Sequence, residues 1–142
     1  MRVALDAFGS DKAPFPEIEG AIQAIKEDIC DEIILVGDEA VLRRELEKYF
    51  FARDRISIEP ASERITMQDH AAEAVRAKKD SSMVRTVQLH RSGAADAAVS
   101  AGNSGAFMTA SLFAYGRIRG VSRPAIAVTL PTMKHPEILL DM

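Results

Sequence analysis

The stretch Ile33-Ile34-Leu35-Val36-Gly37-Asp38 decides the fold. Four consecutive aliphatic residues leave no polar face, and a strand apolar on both faces belongs in a parallel sheet with helices above and below. Gly37-Asp38 closes the run with turn chemistry. Upstream, Val3-Ala4-Leu5 reads as a second short strand. Between the two, Ile18, Ala21, Ile22 and Ile25 recur at three- and four-residue spacing, which predicts a helix starting near Pro14 and Pro16. Downstream, Glu39 to Phe51 reads as a helix with Val41, Leu42, Leu46, Tyr49 and Phe50 on its inner face. A strand at Ile56-Ser57-Ile58 then stops at Pro60.

From Asp69, a candidate N-cap, the pattern is helical again, with Ala71, Ala72 and Val75 facing inward. Asp80-Ser81-Ser82 interrupts it and caps a second helix carrying Met83, Val84 and Val87, which stops at Gly93. Ala97 to Ser100 is a fourth strand. Phe107, Met108, Leu112 and Phe113 mark a helix ending at Gly116, and Ala125 to Leu130 and Ile138 to Leu140 are the last strands. Strands alternating with helices predict an α/β fold, a mostly parallel sheet covered on both faces, as one domain over residues 1–142. The closing strand stops at Asp141-Met142 with no helix after it, which reads as a truncated chain.

Composition fits this reading. The 142 residues are 47% hydrophobic and 27% charged, an ordinary globular balance for one domain or part of one. No apolar run approaches the roughly 18–20 residues of a spanning helix, and Met1 to Asp6 has no secretory character. One cysteine excludes a disulfide framework and suits a reducing cytoplasm; Cys30, after an amphipathic helix, is expected to pack rather than react. A net charge of −3 gives no basis for nucleic-acid binding, yet it hides an asymmetry. Residues 1–70 hold nine basic and sixteen acidic residues, whereas 71–135 hold nine basic residues against Glu73, Asp80 and Asp96 alone. Such a positive segment attracts anionic ligands or acidic partners, or is simply one solvated face.

Ligands bind outside the carboxyl ends of strands in open parallel sheets, so three turns converge on one edge: Asp6 to Asp11, Gly37-Asp38, and Ser100 to Gly105. In the third, Gly102 and Gly105 let backbone approach a ligand, Ser100, Asn103 and Ser104 add neutral hydrogen-bonding groups, and a helix N-terminus follows. This suits phosphate; an ordinary capped turn has the same composition. Spacing and the missing lysine exclude both the P-loop and the dinucleotide fingerprint. Asp6 and Asp11, flanking Gly9, are acidic groups beside a proposed anion site; they accept hydrogen bonds, neutralise Lys12 or bind a cation. Arg76, Lys78, Lys79, Ser81 and Ser82 join cations to hydroxyls at a helix break. His70, His90 and His135 lack metal-ligand spacing, Asp69-His70 is an acid–base pair or a helix start, and no G-x-S-x-G elbow is present. No metal, cofactor or covalent nucleophile is expected.

Five segments in order, Asp6 to Pro14, Ile34 to Glu39, Lys78 to Met83, Val99 to Ala106 and Arg123 to Ala127, closely resemble the bacterial phosphate acyltransferase family of phospholipid synthesis. Phe8, Ser10 and Lys12 stand where that family usually has Met, Gly and often His, and Ser104 replaces a common Thr. The match covers the N-terminal part of longer family members. The resemblance implies a Rossmann-like architecture related to phosphotransacetylases and isopropylmalate-type dehydrogenases, usually a homodimer in the cytoplasm loosely attached to the inner face of the membrane. It implies the reaction of acyl–acyl carrier protein with phosphate to give acyl phosphate. Inorganic phosphate is the nucleophile there and a thioester is already activated, so positioning and oxyanion stabilisation suffice. On that basis Gly102, Asn103 and Ser104 are expected to hold phosphate or the oxyanion, with Ser100 and Gly105 in the same turn. Lys79, Ser81 and Ser82 are expected to supply counter-charge and hydrogen bonds, Asp6, Gly9 and Asp11 to shape the edge, and Arg85, Arg91, Arg117 and Arg119 to meet the carrier. Two alternatives stand: a non-catalytic phosphate- or carrier-binding domain, and a phosphotransacetylase using acyl-coenzyme A.

Overall fold

The computed structural model describes residues 1–133 and 135–141; Met142, which closes the last expected strand, lies outside them. Strands β1 (Arg2–Asp6), β2 (Glu32–Gly37), β3 (Ile56–Pro60) and β4 (Ala97–Ser100) form a wholly parallel sheet in the order β3-β2-β1-β4. Leu5 pairs with Leu35 on one side and Val99 on the other. Helices α1 (Phe15–Lys26) and α2 (Glu39–Leu46) carry the chain from β1 to β3. Helices α3 (Ala71–Ala77) and α4 (Ser82–Arg91) carry it back past β1 to β4. Right-handed crossovers running in opposite directions put these pairs on opposite faces. The direction reverses at β1, so the crevice of the sheet opens between the carboxyl ends of β1 and β4.

Two apolar clusters result. Ile33 and Leu35 pack with Ile18, Ile22 and Leu42 from α1 and α2. The second cluster joins Val75, Met83 and Val87 to Ala106 and Ala110 of α5 (Ser104–Tyr115), with Ile65 from the preceding loop.

Several local expectations are corrected. Helix α2 ends at Leu46, not Phe51: the amides of Lys48 and Tyr49 reach back only three residues, tightening the chain into a turn. Three consecutive aromatics cannot share one face, so Tyr49 and Phe51 pack on the first cluster while Phe50 is 96% exposed. On α3, Ala74 is buried and Ala72 exposed. Its cap position is His70, because the Asp69 carboxylate turns back to the Thr66 amide and hydroxyl. Strands β5 (Ile126–Leu130) and β6 (Glu137–Asp141) do not extend the parallel sheet but pair antiparallel as a separate ribbon. Residues 131–136 are too short a link for a parallel crossover, which needs about a dozen residues.

Leu35→Ala is expected to cost about 2–5 kcal/mol through the cavity it leaves. Phe50→Ala should stay within about 0.5 kcal/mol of the parent in urea denaturation, since its ring touches solvent.

Candidate functional site

The site begins at a strand end. Asp6 closes β1 opposite Ser100, the last residue of β4, and its side chain is completely buried. Ser100 Oγ donates to Asp6 Oδ2 at 2.7 Å, and the Gly102 amide donates to Ser100 Oγ at 3.1 Å. The Phe8 amide donates to the other carboxylate oxygen at 3.2 Å, and the Ser82 hydroxyl bonds the carboxylate from α4. Burial pushes the Asp6 pKa up, and the nearby Glu17 carboxylate adds to it; the hydrogen bonds from Ser82, Ser100 and Phe8 pull the other way.

Two glycines let the first and third turns touch. A Cβ on Gly9 would lie 2.7 Å from Asp6 Oδ2 and 2.9 Å from both the Gly102 nitrogen and Ser100 Oγ. A Cβ on Gly102 would lie 3.0 Å from the Gly9 backbone and from Met83 Cε. The second turn also reaches the edge: Gly37 leaves room for the Phe8 ring, and Asp38 caps α2 by accepting from the Val41 amide.

Helix α5 starts beside this contact. Asn103 Oδ1 accepts from the Ala106 amide at 3.0 Å, and Nδ2 donates to the carbonyls of Asp69 (3.2 Å) and Thr66 (3.4 Å). The Asn103 side chain therefore positions the helix start against the 66–69 loop. Ser104 and Gly105 occupy the first turn of α5, where amides have no intrahelical acceptor and the helix dipole favours an anion. Ser104 is exposed, beside a largely apolar cleft of about 430 Å³. Phe107, Met108 and Leu112 of α5, with Ile118, Pro124 and Ile126, line that cleft, which reaches Ser100 and Gly102. The cleft escapes a reading of the sequence because its far wall comes from residues 116–126, where the Arg123–Ala127 segment marks a resemblance but nothing local says that it folds back toward α5.

The Lys78–Ser82 segment divides its labour. Ser82 reaches Asp6; Ser81, fully buried, caps α4 by accepting from the Val84 amide. Lys78 donates to Asp69 Oδ2 at 2.7 Å and to the Arg64 carbonyl at 2.9 Å. With Lys78 turned inward by that pair, Lys79 points the other way, into a groove among α3, α4 and α5, and makes no hydrogen bond to the Ser100–Gly105 turn. Arg64, which no motif announces, donates to the Ser10 carbonyl at 2.7 Å and ties the 61–66 loop to the first turn. Asp11 and Lys12 are exposed and form no ion pair among the described residues.

The four arginines do not form one face. Arg85 is half-buried, bonded to Glu59 at 2.7 Å and 3.5 Å from Asp80. Arg91 ends α4, while Arg117 and Arg119 lie in the exposed turn after α5, where Arg117 donates to the Ser122 carbonyl. Among the described residues no helix is long and apolar enough to cross a membrane.

A family model described as fatty acid synthesis protein matches residues 1–142. A phosphate acyltransferase of Alkaliphilus oremlandii is 44% identical over 142 residues, covering 99% of this chain and 42% of that protein. The phosphate acyltransferases of Geobacter sulfurreducens and Pelobacter propionicus are 49% and 48% identical over 142 residues, each covering 100% of this chain and 41% of their own length. The chain thus spans about two fifths of the length of the curated relatives it matches.

Two predictions concern the loop that faces this turn. Asn103→Ala removes a cap and two cross-links and is expected to destabilise the fold by about 1–2 kcal/mol, read from the urea midpoint. The Lys78 ammonium and the Thr66 amide hold Asp69 down to about 2 against an ordinary 3.8. Its stabilising contribution is therefore present above pH 3.8 and lost as pH falls toward 2. Asp6, raised, acts in the opposite sense, favouring the fold most when protonated. Asp69→Asn should flatten the acid limb of stability against pH across that window.

Proposed function

The chain belongs to the phosphate acyltransferase family of fatty acid synthesis proteins, and from that premise we propose that it serves transfer of a fatty acyl group from acyl–acyl carrier protein to inorganic phosphate. The observation that carries this reading is the junction at Ser104, where a glycine-rich turn and open helix amides adjoin an apolar cleft. Phosphate at the turn and an alkyl chain in the cleft would bring nucleophile and thioester carbonyl together. A phosphate oxygen attacks the carbonyl carbon, the tetrahedral oxyanion collapses, the C–S bond breaks, and the carrier leaves as a thiolate that takes up a proton. The products are acyl phosphate and free carrier protein.

In this reading the Ser104 and Gly105 amides and the Ser104 hydroxyl hold the anion. The Asp6–Ser100–Gly102 chain fixes where those amides stand. Ser82 and Ser81 support the chain from α4, and Asn103 locks the helix start. Gly9 is required for the close approach of the two turns. The proposal includes a homodimer at the cytoplasmic face of the membrane, for which the exposed Ile138, Leu139 and Leu140 of the β5–β6 ribbon offer apolar surface.

The decisive assay follows phosphate-dependent thiol release and acyl phosphate together, with acyl–acyl carrier protein and acyl-coenzyme A as parallel donors. It is run on this chain and on a protein of its relatives' length. Ser100→Ala is expected to slow release about 100-fold, the scale of misplacing a positioned group by about 1 Å. Leu112→Trp should slow long-chain donors about tenfold while sparing acetyl donors, because it fills the cleft and leaves the turn. No phosphate-dependent release from either donor would leave the binding-domain reading in possession.

A further inference from the structure

Helix α5 has a second neighbour on the side away from the apolar cleft. There α3, α4 and α5 enclose a groove of about 360 Å³ with Val75 and Val87 buried at its floor and the half-exposed Phe113 on its wall. Arg76, Lys79 and Arg91 rim it, and no Asp or Glu is among the residues that line it. None of these three cations enters an ion pair among the described residues, in contrast to Lys78 and Arg85 beside them. The Arg76 guanidinium lies 5.6 Å from the centre of the Phe113 ring, which fixes one cation over the apolar wall.

We propose that this groove docks an acidic amphipathic helix of a partner protein. An apolar stripe at three- and four-residue spacing would enter between α4 and α5, and flanking carboxylates would meet Arg76, Lys79 and Arg91. Charge complementarity selects this occupant: Arg76, Lys79 and Arg91 stand at the groove with no carboxylate among its lining residues. Shape separates it from a lipid surface. A bilayer takes up apolar side chains that protrude beyond their cations, whereas here Val75 and Val87 are buried and the half-exposed Phe113 ring has the Arg76 guanidinium over its face. Identifying the partner as the carrier of the acyl donor rests on the acyl-transfer reading; the groove's chemistry does not. It also moves the expected carrier contact: Arg91 belongs to it, Arg85 is held by Glu59, and Arg117 and Arg119 lie outside it.

The test uses the full chain and fluorescently labelled acyl carrier protein, with binding followed by anisotropy at low and high salt. R76E/R91E is expected to weaken binding at least about tenfold and to flatten its salt dependence, while R117E/R119E stays within about twofold. Circular dichroism confirms that both variants fold. Equal binding by wild type and R76E/R91E overturns the proposal, as does an equal loss in R117E/R119E or no binding at all. It is also overturned if R76E/R91E loses binding only to phosphatidylglycerol vesicles, or changes only self-association of the chain. Phosphate binding by the same proteins, followed by phosphorus NMR, separates the two readings. R76E/R91E should bind phosphate as wild type does. A wild type that binds carrier but not phosphate would defeat the acyl-transfer reading and leave the groove standing.

Discussion

A carboxylate taken wholly out of water must be neutral or surrounded by donors, and Asp6 meets that requirement at the sheet's switch point. Its donors come from the β1–α1 turn (Phe8), from β4 (Ser100) and from α4 (Ser82), so one side chain ties together segments distant in sequence. The tie passes through Ser100 to the Gly102 amide and fixes the turn that launches α5. Everything at the carboxyl edge depends on it: the contact of Gly9 with Gly102, the orientation of the first α5 turn, and the mouth of the apolar cleft. The other turns hang on this frame through Arg64 to Ser10 and Asn103 to the 66–69 loop.

The parallel core and its convergent turns are legible in the sequence because they rest on local signals. The unbroken run Ile33 to Val36, the spacing of Ile18, Ala21, Ile22 and Ile25, and the Gly-Asn-Ser turn each have few alternatives at short range. What escapes is decided at long range between near-equal neighbours. Lys78 and Lys79 are chemically alike, and the Asp69 carboxylate with the Arg64 carbonyl selects which turns inward. Phe50 and Phe51 are identical in chemistry, yet the tightened end of α2 exposes one and packs the other. Asp69 carries good capping chemistry, but the Thr66 amide and hydroxyl with the Lys78 ammonium offer it more than the α3 amides do.

Helix α5 explains why the cleft and the basic groove were equally hidden. It is apolar on nearly every side, so its sequence names no single buried face. One flank, Ala110, Phe113 and Ala114, meets α3 and α4; the other, Phe107, Met108 and Leu112, lines the cleft. A helix with two apolar flanks and an open N-terminus can serve an anion, an apolar chain and a docking groove at once. The cleft and the basic groove lie on different sides of the helix axis, so the two proposed roles would not compete for one surface.

This division bears on how little side-chain chemistry the site contains. Under the acyl-transfer proposal, attack by phosphate on a thioester needs no base to make the nucleophile and no covalent relay, so the demand falls on backbone geometry. Short of proline, which removes the N–H, a substitution keeps backbone donors and can only displace them. A site built from them is tuned through the residues that hold the backbone, which is the role the hydrogen bonds give Asp6, Ser100 and Asn103. The same logic accounts for the acid close to an anion turn. Asp6 is buried beneath the turn rather than exposed within it, and burial already biases it toward the protonated form. Under the acyl-transfer proposal, burial beneath the turn sets the Asp6 carboxylate back from the anion while it keeps its hold on Ser100.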